Sequence, residues 1–189
     1  IAGQLRKRGY QVSFADLLSA PTLRDWRVLL QSAQVVGGAQ SSEYIDEHAP
    51  FELATMQHAY WVGRDEAQAL GGVAAHFYNE FDGEGVDPAR LEVAVRALRQ
   101  RHGMLRVRVL DDGRQCIPRE TSGFVLEVHD LREQSEEDAR AALEQLREKL
   151  SHRRMSVEHG EVFDVQLSLL PDALRPRGTR MHINLDMIA

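Results

Sequence analysis

Between Asp87 and Leu185 the sequence switches repeatedly between two hydrophobic periods, and that switching limits the fold more than any other feature. Asp87 is a capping residue, Pro88 suits the first helical position, and Leu91, Val95 and Leu98 follow at helical spacing until Gly103 ends the run. Leu105, Val107 and Val109 then alternate with Arg106 and Arg108, which predicts a half-buried strand. Asp111-Asp112-Gly113 predicts a hairpin turn into a return strand over 115–117. Phe124, Leu126 and Val128 alternate again, and Ser135 opens a second helix in a capping-box pattern with Asp138 in place of Glu. Ala139, Leu143, Leu146 and Leu150 share one face of that helix. Phe163, Val165, Leu167 and Leu169 form another alternating strand, 171–178 a polar loop, and 180–185 a final strand with Met181, Ile183 and Leu185 on one face. Upstream, 53–62 predicts a helix ending at Gly63, and 72–81 a strand followed by a turn at 82–85. The order β-α-β-β-β-α-β-β predicts an α/β or α+β sheet with helices on one side.

The first quarter of the chain is different. Residues 1–8 read as the end of a helix, with Gly9 as its C-cap and Lys7 and Arg8 at the negative end of its dipole. Ser13 caps a helix over 14–20 that stops before Pro21. Thr22 caps another over 23–33, with Leu23, Trp26, Leu29 and Leu30 on one face. These helices are too small to fold alone, so an upstream helix is expected. Gly37, Gly38, Ser41, Ser42 and several acids then give linker chemistry. The expected organisation is a helical fragment over 1–33, a linker over 34–49 and a mixed domain over 50–189. The chain starts in mid-helix and stops on the apolar run Leu185-Asp186-Met187-Ile188-Ala189, so a segment of something longer is expected. The formal net charge of -6 argues against general nucleic-acid binding. The single Cys116 excludes an intrachain disulfide framework and fits a reducing, cytoplasmic setting. No apolar run approaches the roughly 20 residues of a membrane span.

Spacing alone points to little chemistry. The histidines are His48, His58, His76, His102, His129, His152, His159 and His182; no two lie four apart, there is no HExxH, and no metal site is expected. GxSxG, P-loop and GxGxxG patterns are absent. Arg6-Lys7-Arg8 reads as a solvated helix end. Arg101-His102 closes a helix, where both cations complement the dipole or Arg101 makes a fixed, bidentate buried contact. Asp186 sits among apolar neighbours, where a carboxylate is costly unless paired. It is either a structural ion-pair partner or a site residue.

A resemblance goes further. Phe51, Leu53, Gln57, Ala59, Tyr60, Gly63 and Arg64 match FPL[TS]xxQxAYxxGR, the first signature of the heterocyclisation domains of nonribosomal peptide synthetases. The match departs at Glu52, where that family has Pro, and at Ala54, where it has Ser or Thr. Arg101-His102-Gly103-Met104-Leu105 with Asp112-Gly113-Arg114-Gln115 is similar to both halves of the second signature. Asp186 resembles the first Asp of the third signature, DxxxxDxxS, whose second Asp and Ser would lie past Ala189. Ordinary condensation domains carry HHxxxDG there; no His-His pair is present, and Met187 stands where they place a catalytic His. Residues 8–17, Pro21-Thr22-Leu23 and Trp26 are similar to the back of an aryl or peptidyl carrier domain. The arrangement resembles siderophore synthetases of the pyochelin, yersiniabactin and mycobactin types, which load salicylate.

The resemblance implies the N-terminal lobe of a chloramphenicol-acetyltransferase-like fold behind a carrier fragment. It implies an enzyme that joins a carrier-bound acyl, aryl in the siderophore case, to carrier-bound Cys, Ser or Thr and cyclodehydrates the product to a thiazoline or oxazoline. It implies phosphopantetheine on a carrier Ser outside this chain, since no Asp-Ser pair occurs here. The implied partners are the upstream and downstream carrier domains and an adenylation domain. Asp186 carries over as mainly structural, paired to an arginine for which Arg64 and Arg101 are the candidates. Dehydration residues fall in a second lobe, so the segment alone is expected to be inactive. The alternatives are an ordinary condensation or acyltransferase domain of the same fold, and a lobe that only docks carriers.

Overall fold

The computed structural model describes residues 5, 8, 10, 12–20, 22–33, 46, 48–68, 71–119 and 123–189. The chain divides into two compact units, Ile1–Asp46 and Glu47–Ala189. All but residues 5 and 8 of the expected helix over 1–8, and almost all of the expected linker, lie outside the described residues.

In the first unit, α1 spans Phe14–Ser19 and α2 spans Leu23–Ser32. Both start as expected. Ser13 Oγ accepts from Asp16 N while Asp16 accepts from Ser13 N, and Thr22 Oγ1 accepts from Asp25 N, so the first-turn donors are satisfied. Trp26 Nε1 donates to Leu17 O at 3.0 Å and ties the two helices together.

The second unit holds β1 (Phe51–Glu52), α3 (Thr55–Gly63), β2 (His76–Glu84), α4 (Pro88–Arg101), β3 (Arg108–Val109), β4 (Arg114–Cys116), β5 (Glu127–Asp130), α5 (Glu136–Ser151), β6 (Phe163–Leu169) and β7 (Gly178–Asp186). A four-stranded sheet has the order β2-β7-β6-β5, antiparallel except for the β5–β6 pair. A small sheet has the order β1-β4-β3. The expected strand over 105–109 is shorter than alternation suggested, because Gly103–Arg106 coils into a 3-10 turn. The expected strand over 124–128 begins only at Glu127; Phe124 and Leu126 instead enter the core from extended chain.

Two expectations need correction. Residues 82–84 are strand, not turn: Asp82, Gly83 and Glu84 pair with Arg180, Thr179 and Gly178, and the reversal waits for Gly85 at φ 61°. The helices do not share one side of the sheet. Val95 and Leu91 of α4 pack on Val165, Leu167, Met181 and Ile183, one face of β6 and β7. On the opposite face Arg147 of α5 reaches Glu80 of β2, and Leu150 O lies 3.2 Å from His76 Nε2. Strands covered on both faces need a second set of inward residues, and here that set is polar.

Ser135 caps α5, accepting from Asp138 N at 3.1 Å, and Glu136, Glu137 and Asp138 crowd the positive end of the helix dipole. Ser135→Ala is expected to cost about 1 kcal/mol. The check is faster amide exchange in the first turn of α5.

Candidate functional site

Residues 186–189 turn off the end of β7, and three separate stretches of chain hold them. Asp186 is 1% exposed. Its Oδ2 accepts from Arg64 Nη1 at 2.7 Å, its Oδ1 from Ile188 N at 3.1 Å, and its backbone N donates to Val162 O at 2.8 Å. Arg64 caps the C-terminus of α3 and is itself buried; its Nη2 donates to Met155 O. A guanidinium serves both acceptors because its donors are fixed in a planar fork. Burial of this carboxylate is tolerable because it is paired and hydrogen-bonded.

A second set of contacts acts two residues later. Gln57 Nε2 of α3 donates to Ile188 O at 2.5 Å, and Gln115 Nε2 of β4 donates to Gln57 Oε1 at 2.8 Å and to Glu52 O at 3.1 Å. Ile188 is fully buried among Val107, Val109, Val157 and Val162, with Tyr60 and Trp61 against the same cluster. Met187 N donates to Ala75 O at 3.0 Å, and the Met187 side chain points outward, 45% exposed. The turn before β4 packs under α3. Gly113 has φ 79°, and a Cβ there would lie 3.3 Å from the Trp61 ring. A cleft of about 410 Å³ opens beside the ion pair, walled by Trp61, Arg64, Asp65, Val109, Arg154 and Glu158.

The structure thus brings together Gln57, Arg64, Gln115 and Asp186, with Tyr60 in the core beneath them. Of the two candidate arginines it is Arg64 that pairs with Asp186. Arg101 and His102 lie exposed at the end of α4, where His102 N donates to Leu98 O. Further along that stretch, Arg106 donates to Pro118 O at 2.7 Å and to Arg99 O at 3.3 Å. Asp112 is an exposed turn residue; hydrogen bonds from Arg114 hold its carboxyl below the ordinary range.

Sequence reasoning missed a polar layer on the covered sheet face. His182 and Asn184 are fully buried, whereas Met181, Ile183 and Leu185 are only half-buried. Ser168 Oγ lies 2.9 Å from His182 Nε2 and Tyr78 Oη lies 2.9 Å from His182 Nδ1. Tyr78 Oη also donates to Glu80 at 2.7 Å, and His129 Nε2 lies 2.9 Å from Gln166 Oε1. Burial pushes the Glu80 carboxyl up, but hydrogen bonds from Arg147 and Tyr78 and the charges of Arg147 and Arg180 outweigh it and hold it at about 2. Burial, then the hydrogen bond to Glu80, raises the Tyr78 phenol. The sequence shows only that His182, Asn184 and Asp186 alternate along β7; it is the pairing with β2 and β6 that sets them in phase with the polar residues of those strands.

The sheet with a helix on each face, carrying a loop pinned at the end of its central strand, is the architecture of the condensation-type domains of nonribosomal peptide synthetases. The chain superposes with a TM-score of 0.72 and 26% identity on the EpoB cyclization-docking bidomain of a nonribosomal peptide synthetase from Sorangium cellulosum, covering 98% of this chain and 39% of that one. It is 45% identical over its whole length to phenyloxazoline synthase MbtB of Mycobacterium sp. (strain MCS), of which it spans 16%. It is 34% identical over 98% of its length to pyochelin synthetase PchE of Pseudomonas aeruginosa, of which it spans 13%. No family model matches the chain. Over its whole length the chain is thus similar to nonribosomal peptide synthetases of siderophore assembly and to the cyclisation-type domain of a nonribosomal peptide synthetase. Its fold is the chloramphenicol-acetyltransferase-like α/β fold of such domains. Among the described residues no group of three or more His, Cys, Asp or Glu could hold a metal ion, and no helix is long and apolar enough to cross a membrane.

Proposed function

We propose that residues 50–189 are the N-terminal lobe of a heterocyclisation domain and that residues 1–33 are the back of a carrier domain. The intact protein condenses a carrier-bound acyl group, aryl in its siderophore relatives, with carrier-bound Cys, Ser or Thr. In the first step the amine attacks the acyl thioester carbonyl, the amide bond forms, and the upstream carrier thiol leaves. In the second the side-chain thiol or hydroxyl attacks the new amide carbonyl, and the oxygen departs as water to leave a thiazoline or oxazoline.

One observation supports this reading above the others: residues of the first two resembling stretches hold the third, Arg64 through the Asp186 carboxylate, Gln57 through the Ile188 carbonyl, and Gln115 through its bond to Gln57. The role proposed for Asp186 is to anchor that turn through Arg64. Met187, exposed beside it, has a thioether that neither takes nor gives a proton, so position 187 offers no general base of the ordinary condensation kind. Phosphopantetheine arms would bring both substrates from carrier serines. The chain contains no Asp-Ser pair to carry such an arm. Partners are the neighbouring carriers and an adenylation domain, in a cytoplasmic assembly.

The intact protein, given an acyl-loaded carrier and a Cys-loaded carrier, is expected to yield a carrier-bound product one water lighter than the open amide by mass spectrometry. Open amide alone would refute cyclisation and favour the condensation alternative. Neither product would favour a lobe that only docks carriers.

A further inference from the structure

Gln57 and Gln115 form a closed amide pair in which every donor hydrogen has a partner. Gln57 Nε2 donates to Ile188 O at 2.5 Å and to Gln115 Oε1 at 3.2 Å. Gln115 Nε2 donates to Gln57 Oε1 at 2.8 Å and to Glu52 O at 3.1 Å. Gln57 Oε1 also accepts from Ala54 N at 2.9 Å, closing the first turn of α3. This connectivity fixes the amide orientations, because turning either one would set its oxygen against the carbonyl of Ile188 or Glu52. It also makes glutamine the specific requirement: a carboxylate has no hydrogen to donate, and an apolar side chain leaves a buried carbonyl unmet.

The pair acts on a loop already held at its other end. Asp186 Oδ1 accepts from Ile188 N at 3.1 Å, a side-chain-to-backbone bond two residues on. Arg64 fixes that carboxylate but does not reach the Ile188 carbonyl. The only side chain bonded to that carbonyl among the described residues is Gln57. Met187 lies between the two anchors. Its side chain is directed outward because Asp186 and Ile188 are both buried.

We infer that Gln57 and Gln115 are positioning residues for heterocycle formation, setting the main chain of residues 187–189 through the Ile188 carbonyl without touching substrate. The inference rests on the proposed function for its chemical consequence, and its geometric part stands independently. A loop displaced by about 1 Å can cost on the order of 100-fold in rate.

The test uses the intact protein with two variants, Gln57→Glu, which removes the donor, and Gln57→Met, which keeps the length without a charge and serves if the first does not fold. Two readouts are taken, amide exchange at residues 187–189 and kcat for heterocycle formation per folded molecule, with KM for both loaded carriers. Expected are faster exchange at Ile188 and Ala189, a kcat lower by about 10–100-fold, and little change in KM. Gln57→Met combined with Gln115→Leu is expected to lose no more than Gln57→Met alone, because the two amides act as one unit. Unchanged exchange at 187–189 overturns the inference whatever the activity. Faster exchange with wild-type kcat per folded molecule also overturns it, since the pair would then only stabilise the loop. Failure of the wild-type protein to form any heterocycle would instead overturn the proposed function, leaving the exchange readout to decide the geometry.

Discussion

Replacing Arg64 by alanine is expected to destabilise the Glu47–Ala189 unit by about 3–5 kcal/mol, the usual cost of breaking a buried ion pair from one side. The loss is large because two groups are stranded at once. Asp186, 1% exposed, keeps only the Ile188 amide as a donor, and Met155 O, on a residue itself 1% exposed, loses its guanidinium partner. The destabilisation comes from an uncompensated buried charge more than from the attraction that was lost. A paired change separates the two. Arg64→Met with Asp186→Leu removes both charges and keeps apolar volume, so it is expected to recover most of the loss. Urea unfolding of the intact protein, followed by exchange at β6 and β7, measures both. A single variant within about 1 kcal/mol of wild type would contradict the structural role assigned to Asp186. A double variant as unstable as the single would place the cost in packing instead.

The elements that local rules govern were legible in the sequence. Phe163–Leu169 is strand over the expected span, and Asp87 caps α4, accepting from Arg90 N at 2.7 Å with Pro88 behind it. The hairpin at 111–113 closes with Gly113 in the left-handed region. Local rules failed where tertiary pairing outweighed them. Asp82-Gly83 has turn chemistry, yet β7 offers an unbroken partner, and Arg180 bonds Asp82 across the pair at 2.6 Å, so the strand runs on. The more buried face of β7 was illegible because alternation shows two faces without saying which is covered. Only α5, lying across the polar side, decides that. The site divides the same way. The carboxylate of Asp186 demanded a partner on desolvation grounds alone, but the choice between Arg64 and Arg101 depends on how α3 packs beside a strand 122 positions away. Gln57 and Gln115, 58 positions apart, had no reason to meet until β1 paired with β4. Arg101, His102 and Asp112 share the resemblance but stay exposed at a helix end and a turn tip, so motif membership did not separate groups at the loop from groups that shape the lobe.

His182 is expected to give the unit a stability that falls as the solution is acidified below pH 6.5. Its imidazole is held down to about 4, first by burial and then by the neighbouring cations Arg180 and Arg147 and by His129, against the attraction of Glu80. Tyr78 and Ser168 occupy its two ring nitrogens in the neutral form. The unfolded chain takes up a proton near the ordinary value of 6.5, whereas the folded protein refuses one until about 4, so the unfolded state binds more protons in between. The stability contribution is therefore complete above pH 6.5 and is lost as the pH falls through that window. A shift of this size corresponds to roughly 3 kcal/mol, an upper figure because water reaches a loosened site before full unfolding. The carboxylates act lower: Glu80, held at about 2, loses its contribution only below its ordinary 4.5. The two effects are thus separable by pH. His182→Asn, which keeps a neutral polar side chain against Tyr78, is expected to lower stability at pH 7 but to flatten the dependence between pH 6.5 and 4.5. Urea midpoints measured across that range in both proteins make the comparison. An equal slope in the variant would assign the acid sensitivity to other groups and leave His182 as a packing residue of the polar layer.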